Sequence, residues 1–143
     1  MTREIKFRVW DRDEKKMRLL ADMFGDSQFS HLCYASSNLV LGKGNIDFMQ
    51  YTGLKDKNGR KIYEGDIVKG RVSKNPQHVC EGLRESKLMG KKVSGQIKYS
   101  DTFAQFYFTT DDITYLNLKF GLEQIEVVGN IHENPDLLAN NEQ

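Results

Sequence analysis

The sequence predicts a mainly β fold, a small barrel or sandwich made of many short strands with little helix. Apolar residues alternate with polar residues along several short segments, turns that contain glycine separate these segments, and a helix-start pattern occurs near the C-terminal end. The chain has 143 residues, of which 38% are hydrophobic and 29% are charged. We therefore expect a single domain over residues 1–143 with a modest core.

The N-terminal segment predicts a β-hairpin. Ile5, Phe7 and Val9 alternate with residues of the opposite face, which is the pattern of a half-buried strand. Residues 11–16 are all charged and indicate a solvated turn, after which apolar residues resume in a second strand. From residue 21 to residue 44 the alternation weakens, and this stretch predicts irregular structure with short strands.

A second hairpin is predicted in the centre of the chain. Residues 48–54 form the outgoing strand, and Asn58-Gly59 is a dipeptide that closes tight hairpins because it tolerates positive φ angles. Residues 61–68 form the returning arm. Gly65 interrupts the alternation of this arm, which indicates a turn or bulge where the strand changes direction.

The segment 71–94 has two interpretations. Its apolar residues recur at spacings near those of a short helix, whereas its glycines and its Asn-Pro step favour a connecting loop. Near the end of the chain, Asn134 and Pro135 predict the start of a short helix, with a frayed tail at residues 139–143. Between these two regions, the predicted strands are 96–100, 103–109, 113–120 and 123–131.

Charge is distributed unevenly, although the net charge is only +1. Residues 54–98 hold 12 basic and 5 acidic residues, a net charge of +7, while residues 99–143 hold 1 and 8, a net charge of −7. We favour pairing of these charges between neighbouring strands of the fold. The alternative is a basic face for nucleic acid. The candidate phosphate contacts are Arg71, Lys74, Arg84, Lys87, Lys91 and Lys92.

The sequence contains no recognisable motif for catalysis, cofactor binding or metal binding. His31 and Cys33 supply only two of the four ligands that a structural metal site needs, and Cys80 is far away in the chain. Glu64 and Asp66 are the nearest approach to an acid–base pair, but the glycine between them favours a turn in which Asp66 accepts backbone hydrogen bonds. We therefore expect no enzymatic activity, no catalytic residues, no cofactor and no metal.

Aromatic residues in the predicted strands indicate a second kind of binding surface. Small barrels bind peptides or single-stranded nucleic acid through exposed aromatic side chains flanked by cations. Aromatic residues are also favoured in strands for structural reasons, where most of them pack in the core or pair across strands. The candidates for partner contact are Trp10, Tyr51 and Tyr63, with Phe106 and Tyr107 as further candidates.

The central hairpin resembles the signature of the YopX-like family of phage and prophage proteins. The similar segments are residues 49–59, Met-Gln-Tyr-Thr-Gly-Leu-Lys-Asp-Lys-Asn-Gly, and residues 62–68, Ile-Tyr-Glu-Gly-Asp-Ile-Val. Residues 3–11 are similar to the family's first strand, and residues 128–131 with 133–138 are similar to its ending. The resemblance implies an SH3-like barrel with additional N-terminal strands and a short C-terminal helix, and it implies no known reaction.

Two regions depart from the family pattern. Residues 71–94 look like an expanded loop insertion, and residues 24–44 are irregular, so either region is a candidate for partner preference. We expect a non-enzymatic protein-interaction module in the cytoplasm of a bacterial host, with another protein or a second copy of itself as the partner. The alternative is a nucleic-acid-binding accessory protein that uses the basic central segment. A membrane location is not expected, because no stretch approaches the roughly 20 apolar residues that span a bilayer.

Overall fold

The computed structural model describes residues 4–19, 46–79, 81–84 and 87–139. The chain forms two compact units, Met1–Tyr51 and Thr52–Gln143. Its described elements are mainly β-strands in antiparallel sheets, as the sequence predicts. The predicted irregular stretch 21–44, with its residues His31 and Cys33, lies outside the described residues, and so does Cys80.

The first unit contains the predicted N-terminal hairpin. Strands β1 (Phe7–Asp11) and β2 (Lys16–Leu19) pair antiparallel, and the first part of β3 (Ile46–Lys55) pairs with the other edge of β1. The Asp11 carboxylate closes the turn, because its Oδ1 accepts the backbone N–H groups of the second and third residues after it at 3.0 and 3.1 Å. The prediction of this hairpin is confirmed.

The second hairpin lies in the second unit, where the end of β3 pairs with β4 (Lys61–Tyr63). Three residues form the loop, and the pair Asp56–Arg60 closes it through an N–H···O=C bond of 2.8 Å. Gly59 takes a φ of +82° at the last loop position, which a side chain would disfavour. The predicted hairpin and the predicted role of this glycine are therefore confirmed.

A five-stranded antiparallel sheet forms most of the second unit. Its spatial order is β8-β7-β6-β5-β9, so four strands follow one another as a meander and β9 returns to the free edge of β5. The ladder between β5 and β9 shifts register twice, at bulges that bend the sheet. The strands are β5 (Asp66–Val72), β6 (Lys92–Ser100), β7 (Gln105–Thr109), β8 (Leu116–Asn117) and β9 (Leu122–Asn130).

The core of this unit lies on one face of the sheet. Ile97 and Phe108 are opposite each other on β6 and β7, and both are fully buried. A Cβ atom at Gly95 would lie 2.3 Å from the carbonyl oxygen of Thr109, so the glycine permits the close approach of these two strands. The other fully or nearly fully buried apolar residues of the cluster are Ile62, Val68, Val72, Val79, Leu83, Ile113, Leu116, Leu118, Leu122 and Val127.

Two predictions for the second half of the chain need correction or completion. The predicted strand 113–120 is mostly irregular backbone and turn, since only Leu116–Asn117 pair with β7. The segment 71–94 combines both interpretations, because it contains the ends of two strands, a 3₁₀ turn at Pro76–His78 and the short helix α1 (Glu81–Arg84). The predicted C-terminal helix is present as α2 (Asp136–Ala139).

Candidate interaction surfaces

The loop of the second hairpin is fixed to β9 by a single carboxylate. Asp56 is 7% exposed, and its oxygens accept the backbone N–H groups of Asn58, Arg60 and Val127 at 2.9, 2.9 and 3.0 Å. Burial alone would raise the pKa of Asp56, but these three donors and the positive charge of Arg60 outweigh it and hold the pKa below its ordinary value. Asp56 therefore has a structural role in joining two distant segments.

The Gly65 turn has a similar joining role between β6 and β9. Its N–H donates to the carbonyl of Ile97 and its carbonyl accepts from Ile131, both at 2.9 Å, with φ at +84°. Asp66 is 1% exposed, and its Oδ2 accepts the N–H of Tyr63 at 2.8 Å. The structural interpretation of Asp66 is confirmed by this contact.

The complementary charges of the two segments meet across the ladder of β5 and β9. Lys69 lies opposite Glu126, and Arg71 lies opposite Glu123. These pairs are neighbours in the register of the ladder, and Glu126 forms an ion pair with Lys57, with 3.1 Å between Oε2 and Nζ. The basic and acidic segments therefore neutralise each other in part, as predicted from their net charges.

Several cations nevertheless gather where the paired strands β5 and β6 end. Arg71 and Lys92 are direct partners in the β5–β6 register, and the carbonyl of Lys91 accepts the N–H of the residue after Arg71. The aliphatic chain of Lys74 lies over Gly90. Four exposed cations thus share one end of the sheet, which we call the basic end: Arg71, Lys74, Lys91 and Lys92.

A pair of aromatic rings lies beside the basic end. The rings of His78 and Phe120 have centroids 5.7 Å apart, and Phe120 is 52% exposed. The Nζ atom of Lys119 lies 5.2 Å from the centroid of Phe120. Backbone contact joins this ring pair to the strand end, because the N–H of Ser73 donates to the carbonyl of Gly121 at 2.9 Å.

Ser73, His78 and Glu123 are residue types that form catalytic triads, but their arrangement differs from a triad. A nucleophilic serine needs an exposed hydroxyl that donates to the histidine, while the carboxylate orients the histidine. Here Ser73 is 0% exposed, and its hydroxyl donates to Glu123 at 3.2 Å while His78 Nδ1 lies 3.5 Å away. The cluster therefore supports the strand end and does not form a triad.

An aromatic cluster surrounds the hairpin between β6 and β7. Tyr107 and Tyr115 stack at 4.9 Å, and Phe103 packs against Tyr115 with centroids 5.4 Å apart. On the opposite face of the hairpin, Tyr99 and Phe106 meet edge to face at 5.1 Å. Phe103 is 64% exposed on one face and Tyr99 is 42% exposed on the other, so each face of the hairpin presents an aromatic ring to solvent.

The environment of the aromatic hairpin is acidic on one side. Burial, together with the nearby charge of Asp101, raises the pKa of Glu64 above its ordinary value. Asp101 is itself exposed in the four-residue turn 101–104. Ala104 in this turn has a φ of +50°, a left-handed conformation that is unusual for a residue with a side chain.

The structure separates the residues that the sequence nominated for partner contact. All six basic candidates are exposed, and four of them form the basic end; Arg84 instead donates from Nε to the carbonyl of Val79 at 3.2 Å. Tyr51 and Tyr63 are only 4% and 6% exposed, so the structure favours the core interpretation of these two rings. Trp10 is half-buried on β1, opposite Met17 on β2.

The residues that sequence reasoning did not nominate lie in turns. Phe120 follows the two-residue strand β8, and Phe103 lies in the turn before β7. The Ser-Asp-Thr run at 100–102 was a signal for that turn, since these residue types favour turns. Within the described ranges 4–19, 46–79, 81–84 and 87–139, no three His, Cys, Asp or Glu residues are grouped to hold a metal. No helix in those ranges has the length and hydropathy to cross a membrane.

These features define a mainly β protein whose described surface offers an aromatic hairpin and a basic strand end. The sequence model of the YopX family, described as "YopX protein", matches residues 6–139, and the chain belongs to this family. The family resemblance seen in the sequence is therefore confirmed. No match was found among curated proteins.

One solved structure is similar along nearly its whole length. It is the crystal structure of protein EF1440 from Enterococcus faecalis, which is 26% identical and superposes with a TM-score of 0.51. The alignment covers 96% of this chain and 99% of that chain. This similarity supports the mainly β fold.

Proposed function

We propose that this YopX-family protein is a non-enzymatic module that binds another protein through the aromatic hairpin. The single observation that carries the proposal is the exposure of Phe103, 64%, within a cluster whose rings hold one another in place. Burying a phenylalanine side chain is worth roughly 1.5–3 kcal/mol, and this gain is available only when a partner covers the ring. Rings that are already fixed lose little entropy on binding.

The surroundings of the hairpin indicate the chemistry of the partner. Asp101 and Glu64 place negative charge near the turn of the hairpin, and exposed Lys98 lies opposite Tyr107, so a complementary surface has an apolar centre with charges of both signs at its rim. Arginine also stacks favourably on exposed tyrosine and phenylalanine rings. A second copy of the chain is one such partner, and it would cover the exposed strands at the sheet edge.

The wider setting of this proposal follows the family. We propose that the protein is made by a phage or prophage and acts in the cytoplasm of the bacterial host. The bent antiparallel sheet, with its bulges between β5 and β9, supports an SH3-like barrel, to which the N-terminal hairpin and α2 are additions. Barrels of this kind commonly bind peptides through aromatic surfaces.

The test is affinity capture from induced or infected cells, followed by direct titration of the captured protein. Phe103→Ser should weaken binding at least tenfold, because it removes the most exposed ring. Phe120→Ser is the matched control, since it removes another exposed phenylalanine outside the aromatic cluster. Equal affinity of the Phe103→Ser variant and the unmodified protein would refute the aromatic hairpin as the docking surface. Sedimentation of the pure protein tests self-association.

A second candidate function is nucleic-acid binding, and the basic end favours it. Arg71 and Lys92 are like charges placed directly opposite each other, and Lys74 and Lys91 lie at the same strand end. Such a group attracts phosphates, and its binding weakens as salt increases because counterions are released. The predicted contacts Arg84 and Lys87 lie in the same connection between β5 and β6.

The second candidate is tested by mobility shift at low salt. Lys91→Glu combined with Lys92→Glu should abolish the shift and reduce the salt dependence of binding. Lys98→Glu is the matched control, because Lys98 is exposed on β6 toward its other end. If the double variant and the Lys98→Glu control weaken binding equally, the attraction is not localised at the basic end and this function would be rejected.

A further inference from the structure

We propose that the basic end selects single-stranded over double-stranded nucleic acid, with Phe120 as the platform on which an unpaired base stacks. The inference rests on the second candidate function and specifies its ligand. In a duplex the faces of the bases are covered by their neighbours, whereas a single strand exposes them. A surface that combines cations with an exposed aromatic ring therefore distinguishes the two forms.

Hydrogen bonds and close packing hold the turn that carries Phe120. Asn117 accepts the backbone N–H groups of Lys119 and Phe120 on its Oδ1, both at 3.0 Å. Its carbonyl accepts the N–H of Gly121 at 2.8 Å. Any Cβ at Gly121 would lie 2.5 Å from Leu116 Cδ1, so this turn is also packed closely against the core. The ring is therefore positioned before a ligand arrives, which lowers the entropic cost of stacking.

The ring of Phe120 contacts His78 and Lys119, and about half of the residue's surface stays exposed. His78 packs against it at an interplanar angle of 39°, and Asn75 Nδ2 lies 3.4 Å from His78 Nε2. Phe120 remains 52% exposed with His78 and Lys119 both in place. Lys119 Nζ lies over the ring, 5.2 Å from its centroid, and Lys119 is exposed. Its flexible side chain can move off the ring face when a base stacks there and can then pair with the adjoining phosphate.

The ring and the basic end lie on adjoining parts of the same surface. Ser73 bonds to Gly121, the residue after Phe120, and precedes Lys74 in the chain. One nucleotide can therefore stack on the ring while the phosphates on either side approach Lys119 and Lys74. Further phosphates of a single strand then reach Lys91, Lys92 and Arg71 along the paired strand ends.

The experiment measures fluorescence anisotropy with two probes, a labelled 15-nucleotide oligothymidylate and a duplex of equal length, over a series of salt concentrations. The unmodified protein should bind the single strand more tightly. Phe120→Ala should weaken single-strand binding by roughly tenfold or more, which corresponds to the loss of one stacked base. It should change duplex binding less than twofold and leave the salt dependence unchanged, because no phosphate contact is removed.

Two further variants separate stacking from other effects. Phe120→Trp keeps an aromatic ring and should retain the single-strand preference, whereas Phe103→Ala removes an exposed ring of the aromatic cluster and should have no effect. Equal affinity for the two probes, or a Phe120→Ala variant with unchanged single-strand affinity, would overturn the inference and leave the basic end as a general polyanion site. No binding of either probe by the unmodified protein would overturn the nucleic-acid function itself.

Discussion

Replacement of Asp56 by asparagine should remove about 2–3 kcal/mol of stability, and the estimate follows from its three hydrogen bonds. Hydrogen bonds to a charged group contribute roughly 1.5–3 kcal/mol each. An asparagine side chain has one acceptor oxygen, so it can serve either the pair Asn58 and Arg60 or Val127, but not both sides. Its NH₂ group then faces at least one backbone N–H that has lost its acceptor.

The effect should depend on pH with a definite sign. The folded-state pKa of Asp56 is lowered, so the folded protein binds the proton less readily than the unfolded chain does. The contribution of Asp56 is therefore complete above the unfolded pKa of about 3.9, and it is lost as pH falls through the folded pKa. The difference between the unmodified protein and Asp56→Asn should be constant from about pH 5 to 7 and should shrink at lower pH.

Urea unfolding followed by far-ultraviolet circular dichroism measures both effects. With slopes of about 1–3 kcal/mol per molar urea, a loss of about 2–3 kcal/mol lowers the midpoint by roughly 0.7–3 M. Asp111→Asn is the matched control, because Asp111 is exposed in a bend and its replacement should leave the midpoint unchanged. The assigned role would be refuted if Asp56→Asn did not shift the midpoint at pH 7. It would also be refuted if the shift were equally large at pH 3 and at pH 7.

Three other substitutions test the backbone conformation, the packing and the charge arrangement of the second unit. Gly65→Ala should lower stability by about 1–2 kcal/mol because Gly65 has a positive φ. Gly82→Ala should be neutral or stabilising, because Gly82 lies in the helix α1 with open space where its Cβ would be. Equal melting temperatures of these two variants would contradict the role of Gly65. Gly95→Ala should lower the free energy of unfolding by about 1–3 kcal/mol or more, because the added Cβ overpacks the contact with β7. Unchanged stability would mean that β6 and β7 can move apart at this point without a cost in free energy. Lys92→Glu should raise the melting temperature at low salt by pairing with Arg71, and a decrease would contradict the like-charge assignment.

The turns of this fold could be predicted from sequence because their chemistry is local. Gly59 and Gly65 both adopt positive φ angles, at +82° and +84°, which glycine reaches without strain. The charged run 11–16 likewise contains its own turn acceptor, Asp11, at the end of β1. In each case one or two neighbouring residues determine the geometry, so no knowledge of distant contacts is needed.

The predicted strand at 113–120 was wrong for a reason that is also local but harder to recognise. Its apolar residues Ile113, Leu116 and Leu118 are buried, so the alternation did reflect the core. Side-chain oxygens of Thr110 and Asn117, however, accept backbone N–H groups two and three residues later. These bonds compete with strand pairing and leave β8 only two residues long.

The candidate surfaces could be predicted only in part, because they depend on contacts between distant segments. The basic residues were identifiable from composition, and alternation correctly placed Tyr51 and Tyr63 in strands. Alternation does not reveal which aromatic residues become buried, and both of these do. Phe120 adjoins the basic end through the contact between Ser73 and Gly121. These two residues are 48 positions apart in the chain, so local sequence does not reveal the contact.

The charge arrangement at the basic end argues for an anionic ligand more strongly than its net charge does. On β9 the residue opposite Arg71 is acidic, Glu123. On β6 the opposing residue is Lys92, and like charges in direct opposition are destabilising. The proposed polyanion would relieve this repulsion on binding, and part of the unfavourable electrostatic energy of the free protein would then contribute to affinity. The Lys92→Glu variant should therefore be more stable than the unmodified protein and should bind the polyanion less tightly. A variant that shows both effects indicates that Lys92 binds a ligand, whereas a lysine that is only solvated would show no loss of binding.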